Sequence, residues 1–278
     1  MSPETIMAIA EHNRERNTLI RSRNRIQSTL LSHVGSALGY SPTLPDAERA
    51  AKIREATAMI KGIVSSKLDS KQANSMRMFV EDMWRSVASL NMCIAVRTKA
   101  MTKMAETLPV ADWIQEPEQN GAGLLTLAQI IGECGDLSNY PSPAHLWSRM
   151  GAAPYCSCGV MQMGSTWRRA GKGSPKLSAD EWTEYGQCKR RATLTHIIGE
   201  NLMKQNFIRS KTKTGKARKK AGPYRARFDE AKKASKKSIF HADWSDCRHN
   251  NHAILLAGKR FLLELWKQWN PTLVRNPE

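Results

Sequence analysis

Residues 120–151 read NGAGLLTLAQIIGECGDLSNYPSPAHLWSRMG and decide the fold of the second half of the chain. Leucine and isoleucine residues recur at helical spacing between Leu124 and Ile131. Gly121 and Gly123 allow the backbone to turn tightly ahead of them. This first part of the stretch therefore predicts a short apolar helix that follows a glycine-containing turn.

The remainder of the stretch predicts a second short helix. Asp136, Ser138 and Asn139 are polar and typical of a turn. Ser142 is the predicted N-cap, Pro143 the first helical residue, and Gly151 the residue at which the helix stops. Two short helices with free amide groups at their starts form a compact module that can hold phosphates.

Upstream of this module, apolar residues recur at helical spacing in three segments, which cover residues 5–34, 46–68 and 71–108. The third segment is the most regular, because its apolar residues step by three, four or seven without an intervening glycine or proline, which is typical of a coiled-coil seam. Two interpretations remain open. The helix packs within its own domain, or it forms a coiled coil, either with the second helix or between two protomers.

The chain is strongly basic, with 43 lysine and arginine residues against 25 acidic ones and a formal charge of +18. Such a charge favours a polyanionic partner, with nucleic acid ahead of an anionic membrane surface; a basic protein without such a partner is the alternative. The first helix carries five arginines, which contact a phosphate backbone or form a solvated face. They are Arg14, Arg16, Arg21, Arg23 and Arg25.

The charge is densest in residues 209–237, where thirteen basic residues stand against two acidic ones. This segment is predicted to be a basic loop that orders on nucleic acid, because part of it has few apolar residues. The residues expected to contact the nucleic-acid backbone are Lys211, Lys213, Lys216, Arg218, Lys219, Lys220, Arg225 and Arg227.

A further helix is predicted at residues 187–207, and Lys189, Arg190 and Arg191 lie in its first turn. Cations at a helix start oppose the helix dipole. Their placement is therefore best explained by a phosphate bound at the same terminus, and these three residues are the leading RNA-binding candidates.

Two smaller groups complete the predicted RNA-binding residues. Trp167 lies beside cations in a glycine- and serine-rich loop and offers a stacking plane for unstacked bases, or it packs within the protein. His249 and His252 begin a terminal helix at residues 246–269, where they contact RNA or pack. The cations of the loop group are Arg168, Arg169 and Lys172.

Neither catalysis nor a cofactor is expected. Cys156 and Cys158 combine with Cys247, His249 and His252 only at spacings shorter than those of zinc fingers, so no metal is predicted. Ser157 is at best a weak nucleophile, since no motif ties it to a base. The known phosphate-loop and hydrolase motifs do not occur.

The chain is expected to act in the cytoplasm. It opens on a polar segment without a secretory signal, and no run approaches ~18 apolar residues, so no membrane partner is predicted. The six cysteines are then expected to be reduced thiols.

Four segments of the chain resemble segments that occur in the same order in known proteins. They are GLLTLAQIIGECGDLSNYPSPAHLWSRMGAAP (123–154), CKRRATLTHIIGENLMKQ (188–205), GPYRARFDEAKK (222–233) and HNNHAILLAGKRFLLELW (249–266). They are similar to the C-terminal domain of RNA-guided insertion-sequence transposases. They resemble still more closely the nuclease-lacking Tas proteins of tandem interspaced guide RNA (TIGR) systems. The resemblance covers roughly residues 76–269.

The resemblance implies a mainly all-α protein, with a long-helix or coiled-coil scaffold at residues 1–112 and a Nop-like RNA-binding domain at residues 113–278. It implies a short structured guide RNA, target DNA recognised by base pairing, a homodimer, and a prokaryotic or phage-infected cell. In the transposases a serine before a glycine is catalytic, whereas here Cys158 precedes Gly159. The alternatives are a DNA recombinase with Ser157 as nucleophile and a non-specific basic nucleic-acid-binding protein.

Overall fold

The computed structural model describes residues 2–152, 189–211 and 217–272, with residues 189, 208–211 and 217–220 described by their backbone alone. It confirms the predicted mainly all-α fold class. The helices are α1 (Pro3–Ala37), α2 (Asp46–Val64), α3 (Lys71–Ala105), α4 (Ala111–Gln115), α5 (Leu124–Cys134), α6 (Pro143–Arg149), α7 (Lys189–Gln205), α8 (Pro223–Lys237) and α9 (Asp246–Trp269). Strands β1 (Phe207–Lys211) and β2 (Ala217–Ala221) pair antiparallel.

The chain divides into two compact units. His12–Ala100 form the long-helix unit, and Met1–Glu11 with Met101–Glu278 form the C-terminal unit. The sequence analysis places the division near residue 112. The compact units have their boundaries inside α1 and α3, so each of these helices contributes residues to both units, and the predicted division stays a prediction.

In the long-helix unit, α1 and α3 run antiparallel. Arg16 Nε donates to Thr98 Oγ1 at 2.9 Å, and Arg23, further along α1, donates to Asn91, which comes earlier in α3. Near the start of α3, α2 joins the pair and completes an apolar core. That core consists of Leu30, Val34, Leu38, Ala56, Ile60, Ile63, Ala73, Met76 and Val80. The regular third segment therefore packs within its own unit, against α1 as well as α2.

The apolar stretch of α5 forms the centre of the C-terminal unit. Leu127, Ile130 and Ile131 are fully buried there, together with side chains of α6, α7 and α9. Two tryptophans of α9 attach the turn that follows α5: Trp266 Nε1 donates to the Tyr140 carbonyl at 2.8 Å, and Trp269 Nε1 donates to Asp136 Oδ1 at 3.0 Å. The predicted helix–turn–helix module is thus closed by the terminal helix.

Helices α7 and α9 cross at very short distance. A Cβ atom on Gly199 would overlap the carbonyl oxygen of Ile254, and one on Gly258 would lie 2.9 Å from the carbonyl oxygen of Thr195. Glycine at both positions lets the two backbones touch. This crossing holds the middle of α7 against α9.

The prediction of a single basic loop at residues 209–237 is wrong. Its start lies in the β1–β2 hairpin, and residues 223–237 form α8, with Pro223 at the first helical position. Tyr224, Phe228 and Ala231 are buried at helical spacing. These three side chains form one apolar face that packs into the protein, although the rest of the helix is rich in lysine.

Candidate nucleic-acid interface

The first turn of α7 lies against a buried carboxylate. Arg190 Nη2 is 2.7 Å from Glu133 Oε2, and Arg191 Nε is 3.5 Å from the same oxygen. The Glu133 side chain, on α5, is 2% exposed. The sequence analysis explained the cations at this helix start by a bound phosphate. The structure places an anion of the chain itself there.

The C-terminal end of α6 also packs against the first turns of α7. Gly151, with φ of 65°, lies so close to α7 that an added Cβ would be 2.8 Å from the Ala192 Cβ. Thr195 Oγ1 donates to the carbonyl of Met150 at 2.9 Å. Arg149, the last residue of α6, is exposed. Burial raises the pKa of both Cys134 and Tyr140, and the nearby charge of Arg149 opposes that rise in each case.

We call Glu133, Arg149, Arg190 and Arg191 the Glu133 cluster. It holds three guanidinium groups and one carboxylate. Arg190 is 42% exposed and Arg191 only 15%. Arg190 can therefore turn toward a ligand in solvent, whereas Arg191 is held mainly by the protein.

Two other polar groups beside the cluster are not reactive. Burial raises the pKa of the Cys134 thiol to about 12, although Arg149 and Arg191 act in the opposite direction. Burial likewise raises the pKa of Tyr140 to about 12, and its hydroxyl donates to the Cys134 carbonyl at 2.8 Å. Neither group is ionised near neutral pH, so the cluster is suited to binding an anion rather than to nucleophilic chemistry.

The β1–β2 hairpin brings basic residues into register. Arg209 is the partner of Lys219, and Ser210 is the partner of Arg218. Like charges directly opposite each other weaken an antiparallel pair, and an isolated two-stranded hairpin is only marginally stable. Of the predicted backbone contacts, Lys211, Arg218, Lys219 and Lys220 lie on these strands, while Lys213 and Lys216 are outside the described residues.

Asn206 positions the hairpin and α8, and the sequence analysis missed it. It is fully buried, and its Nδ2 donates to the carbonyls of Glu118 and Asn120 at 2.8 and 2.9 Å. Its Oδ1 accepts from the backbone amides of Tyr224 and Arg225 at 3.1 and 3.3 Å. Asn206 therefore caps α8, whose own N-cap is a glycine without a side chain.

The two arginines of α8 differ in their surroundings. Arg225 donates to Asp229 and to the Met203 carbonyl, both at 2.9 Å, and its guanidinium lies 5.3 Å from the centre of the Phe228 ring. It holds α8 against α7. Arg227 is 44% exposed, and within the described part of the chain it forms an ion pair with Glu230, an exposed partner that phosphate can replace.

The histidines predicted to contact RNA are packed in the protein. His249 is 6% exposed, and its Nδ1 is 2.9 Å from Ser235 Oγ. His252 is partly buried with its ring 5.4 Å from that of Trp244. Of the two interpretations left open, the packing one fits both residues. Among the residues that the structure describes, no group of three or more His, Cys, Asp or Glu could hold a metal.

The predicted loop group lies outside the described residues. This applies to Trp167, Arg168, Arg169 and Lys172, and also to the weak nucleophile candidate Ser157. Within the described ranges, no helix is both long and apolar enough to cross a membrane.

The chain was compared with protein-family models, curated proteins and solved structures, and none of them matches.

Proposed function

We propose that this protein binds a structured RNA through its C-terminal unit and uses that RNA as a guide to recognise DNA. The observation that carries RNA binding is the register of the β1–β2 hairpin, which sets Arg209 opposite Lys219. A polyanion lying along the hairpin offsets this repulsion, and neither strand contains a carboxylate that would do so.

The Glu133 cluster supports the same proposal. Its three arginines exceed its one carboxylate, and Arg190 is exposed enough to exchange Glu133 for a phosphate oxygen. Arginine suits this exchange because its planar guanidinium binds carboxylates and phosphates in the same geometry. In this proposal Arg190 binds the RNA backbone, and Arg191 keeps Glu133 neutralised.

The finer part of the proposal, a guide RNA that selects target DNA within a homodimeric complex, rests on the resemblance to Tas proteins. In such a complex base pairing reads the sequence, and the protein holds the backbone. The protein then needs cationic surfaces of defined shape and no catalytic group.

The direct test is purification of the protein from cells that express its gene with the flanking genomic region, followed by sequencing of the bound RNA. One short, uniform RNA encoded beside the gene supports the guided function. A broad mixture of cellular RNA would support RNA binding but would contradict the use of that RNA as a guide. The absence of bound RNA would overturn the whole proposal.

The contribution of Arg190 can be measured separately. Arg190→Ala should weaken RNA binding and reduce the slope of log affinity against log salt by about 1, because one phosphate contact is lost. Arg85→Ala is the matched control, because Arg85 lies in the long-helix unit and is 77% exposed. Its replacement removes the same charge as Arg190→Ala does. Equal losses in both variants would show that only net charge matters.

A further inference from the structure

The turn between α8 and α9 exposes its two most apolar side chains. Ile239 and Phe240 are adjacent in a 3-10 turn, and each is 82% exposed. The next aromatic residues, His241 and Trp244, are partly buried, with their rings stacked 3.8 Å apart. Proteins normally bury isoleucine and phenylalanine in preference to histidine. The order is reversed here, so Ile239 and Phe240 form an exposed apolar pair beside a packed aromatic group.

The support beneath Phe240 is well ordered by contacts. The His241 amide donates to the Ser238 carbonyl at 3.1 Å, and the Trp244 amide donates to the His241 carbonyl at 3.0 Å. The Arg248 guanidinium covers the other part of the tryptophan, 4.5 Å from the ring centre. The backbone on either side of Phe240 is therefore held in place, so binding has only the Phe240 side chain to order at this point.

The charges around the turn favour an anionic partner. Lys233 and Lys237, one helical turn apart at the end of α8, are exposed and have no ion pair among the described residues. Lys236 pairs with Asp246 at 2.7 Å, and Asp243 is the other carboxylate of the turn. Nucleic acid fits these features better than a bilayer, because peripheral membrane binding uses a broad apolar helix face rather than two side chains.

We propose that Phe240, flanked by Ile239, is a stacking site for an unpaired base of bound nucleic acid. The inference rests on the proposed function, which supplies the nucleic acid. Lys233 and Lys237 hold the adjacent phosphates, and the exposed ring stacks on a base or enters between two bases. Aromatic side chains use this contact with single strands and with distorted duplex steps.

The test compares a fluorescently labelled hairpin RNA that carries a single-stranded tail with its blunt-ended counterpart, by fluorescence anisotropy. Phe240→Ala should weaken binding of the tailed RNA about tenfold and leave the blunt hairpin within about twofold, as expected for loss of one stacked base. Phe240→Trp should retain tight binding of the tailed RNA. Phe240→Leu, which keeps an apolar side chain without a ring, should behave like Phe240→Ala.

The matched control is Met78→Ala, because Met78 is 79% exposed in the long-helix unit. It should bind both RNAs as the unaltered protein does. The melting temperature should not change in any Phe240 variant, since the side chain packs little in the protein.

The outcomes separate this inference from the proposed function. If the unaltered protein binds neither RNA, both fail. If it binds both and Phe240→Ala binds equally well, only the stacking site is overturned. Full binding by Phe240→Leu would also overturn stacking, in favour of a purely apolar contact. The stacking site would likewise be overturned if the protein bound phosphatidylserine vesicles and the Phe240→Ala variant did not.

Discussion

Replacement of Glu133 by glutamine tests how the C-terminal unit holds its arginines. The substitution keeps the side-chain volume and one acceptor oxygen but removes the negative charge shared by Arg190 and Arg191. Two guanidinium groups then remain beside a neutral amide. We expect a less stable protein that binds RNA more tightly.

The expected loss of stability follows from the burial of each partner. Removal of one member of a buried ion pair typically costs about 3–5 kcal/mol. Arg190, at 42% exposed, recovers hydration by turning outward, and the glutamine oxygen still accepts one hydrogen bond, so the loss falls to about 2 kcal/mol. For a unit of this size that is a decrease in melting temperature of about 4–8 °C.

The expected gain in RNA affinity has the same cause. Without the carboxylate, Arg190 no longer has to leave a protein anion in order to bind a phosphate. Only Arg190, which is 42% exposed, leaves Glu133 to bind RNA, and giving up the pairing on its solvent side costs up to about 1 kcal/mol, so removal of that cost should tighten binding by about fivefold. The tighter binding should disappear as salt is raised.

Thermal unfolding and RNA titration on the same preparation provide the measurement. Glu200→Gln is the control, because Glu200 forms an exposed ion pair with Lys204 on α7, and its loss should leave the melting temperature unchanged. An unchanged melting temperature for Glu133→Gln would refute the buried ion pair. A decrease in RNA affinity would refute the competition between Glu133 and phosphate.

Two further predictions concern the support of the site. Asn206→Ala leaves four backbone groups of the C-terminal unit without their partner and should lower the free energy of unfolding by about 2–4 kcal/mol in urea denaturation, whereas the exposed Asn251→Ala should have little effect. Burial, together with His241, His249 and Lys259, lowers the pKa of His252 below its usual 6.5. The unfolded chain therefore takes up a proton at His252 before the folded protein does, so stability should fall as pH decreases below about 6.5. His252→Asn should flatten that part of the profile relative to the exposed-histidine variant His145→Asn, and an unchanged slope would contradict the assignment.

The helices of this protein follow from its sequence where apolar spacing and capping residues agree. The apolar spacing predicts the terminal helix at residues 246–269, as observed in α9, where Ser245 is the N-cap and accepts from the Arg248 amide. Pro143 and Gly151 likewise mark the ends of the second short helix. In these places local signals are sufficient, because the apolar spacing and the residues at the helix ends all lie within or next to the helix that they predict.

The sequence analysis failed where a distant residue decides the structure. Segment 223–237 is so rich in lysine that its three buried apolar residues were overlooked, and its cap comes from Asn206, outside the helix. In the sequence, Glu133 is notable only because it is an acidic residue within the apolar segment that forms α5. Its partners Arg190 and Arg191 lie more than fifty residues away, so only the folded chain identifies the ion pairs.

Among the described residues of the C-terminal unit, some ion pairs are exposed and others include the buried Glu133. This difference decides which basic side chains can leave their carboxylate and bind RNA. Pairs such as Arg227–Glu230 and Lys204–Glu200 are exposed and lie one helical turn apart. Each contributes at most about 1 kcal/mol, so phosphate can replace the carboxylate with little loss of stability. Glu133 is buried and cannot be released in this way. RNA binding should therefore draw on the exposed pairs and on Arg190, while Glu133 and Arg191 remain together as the fixed base of the site.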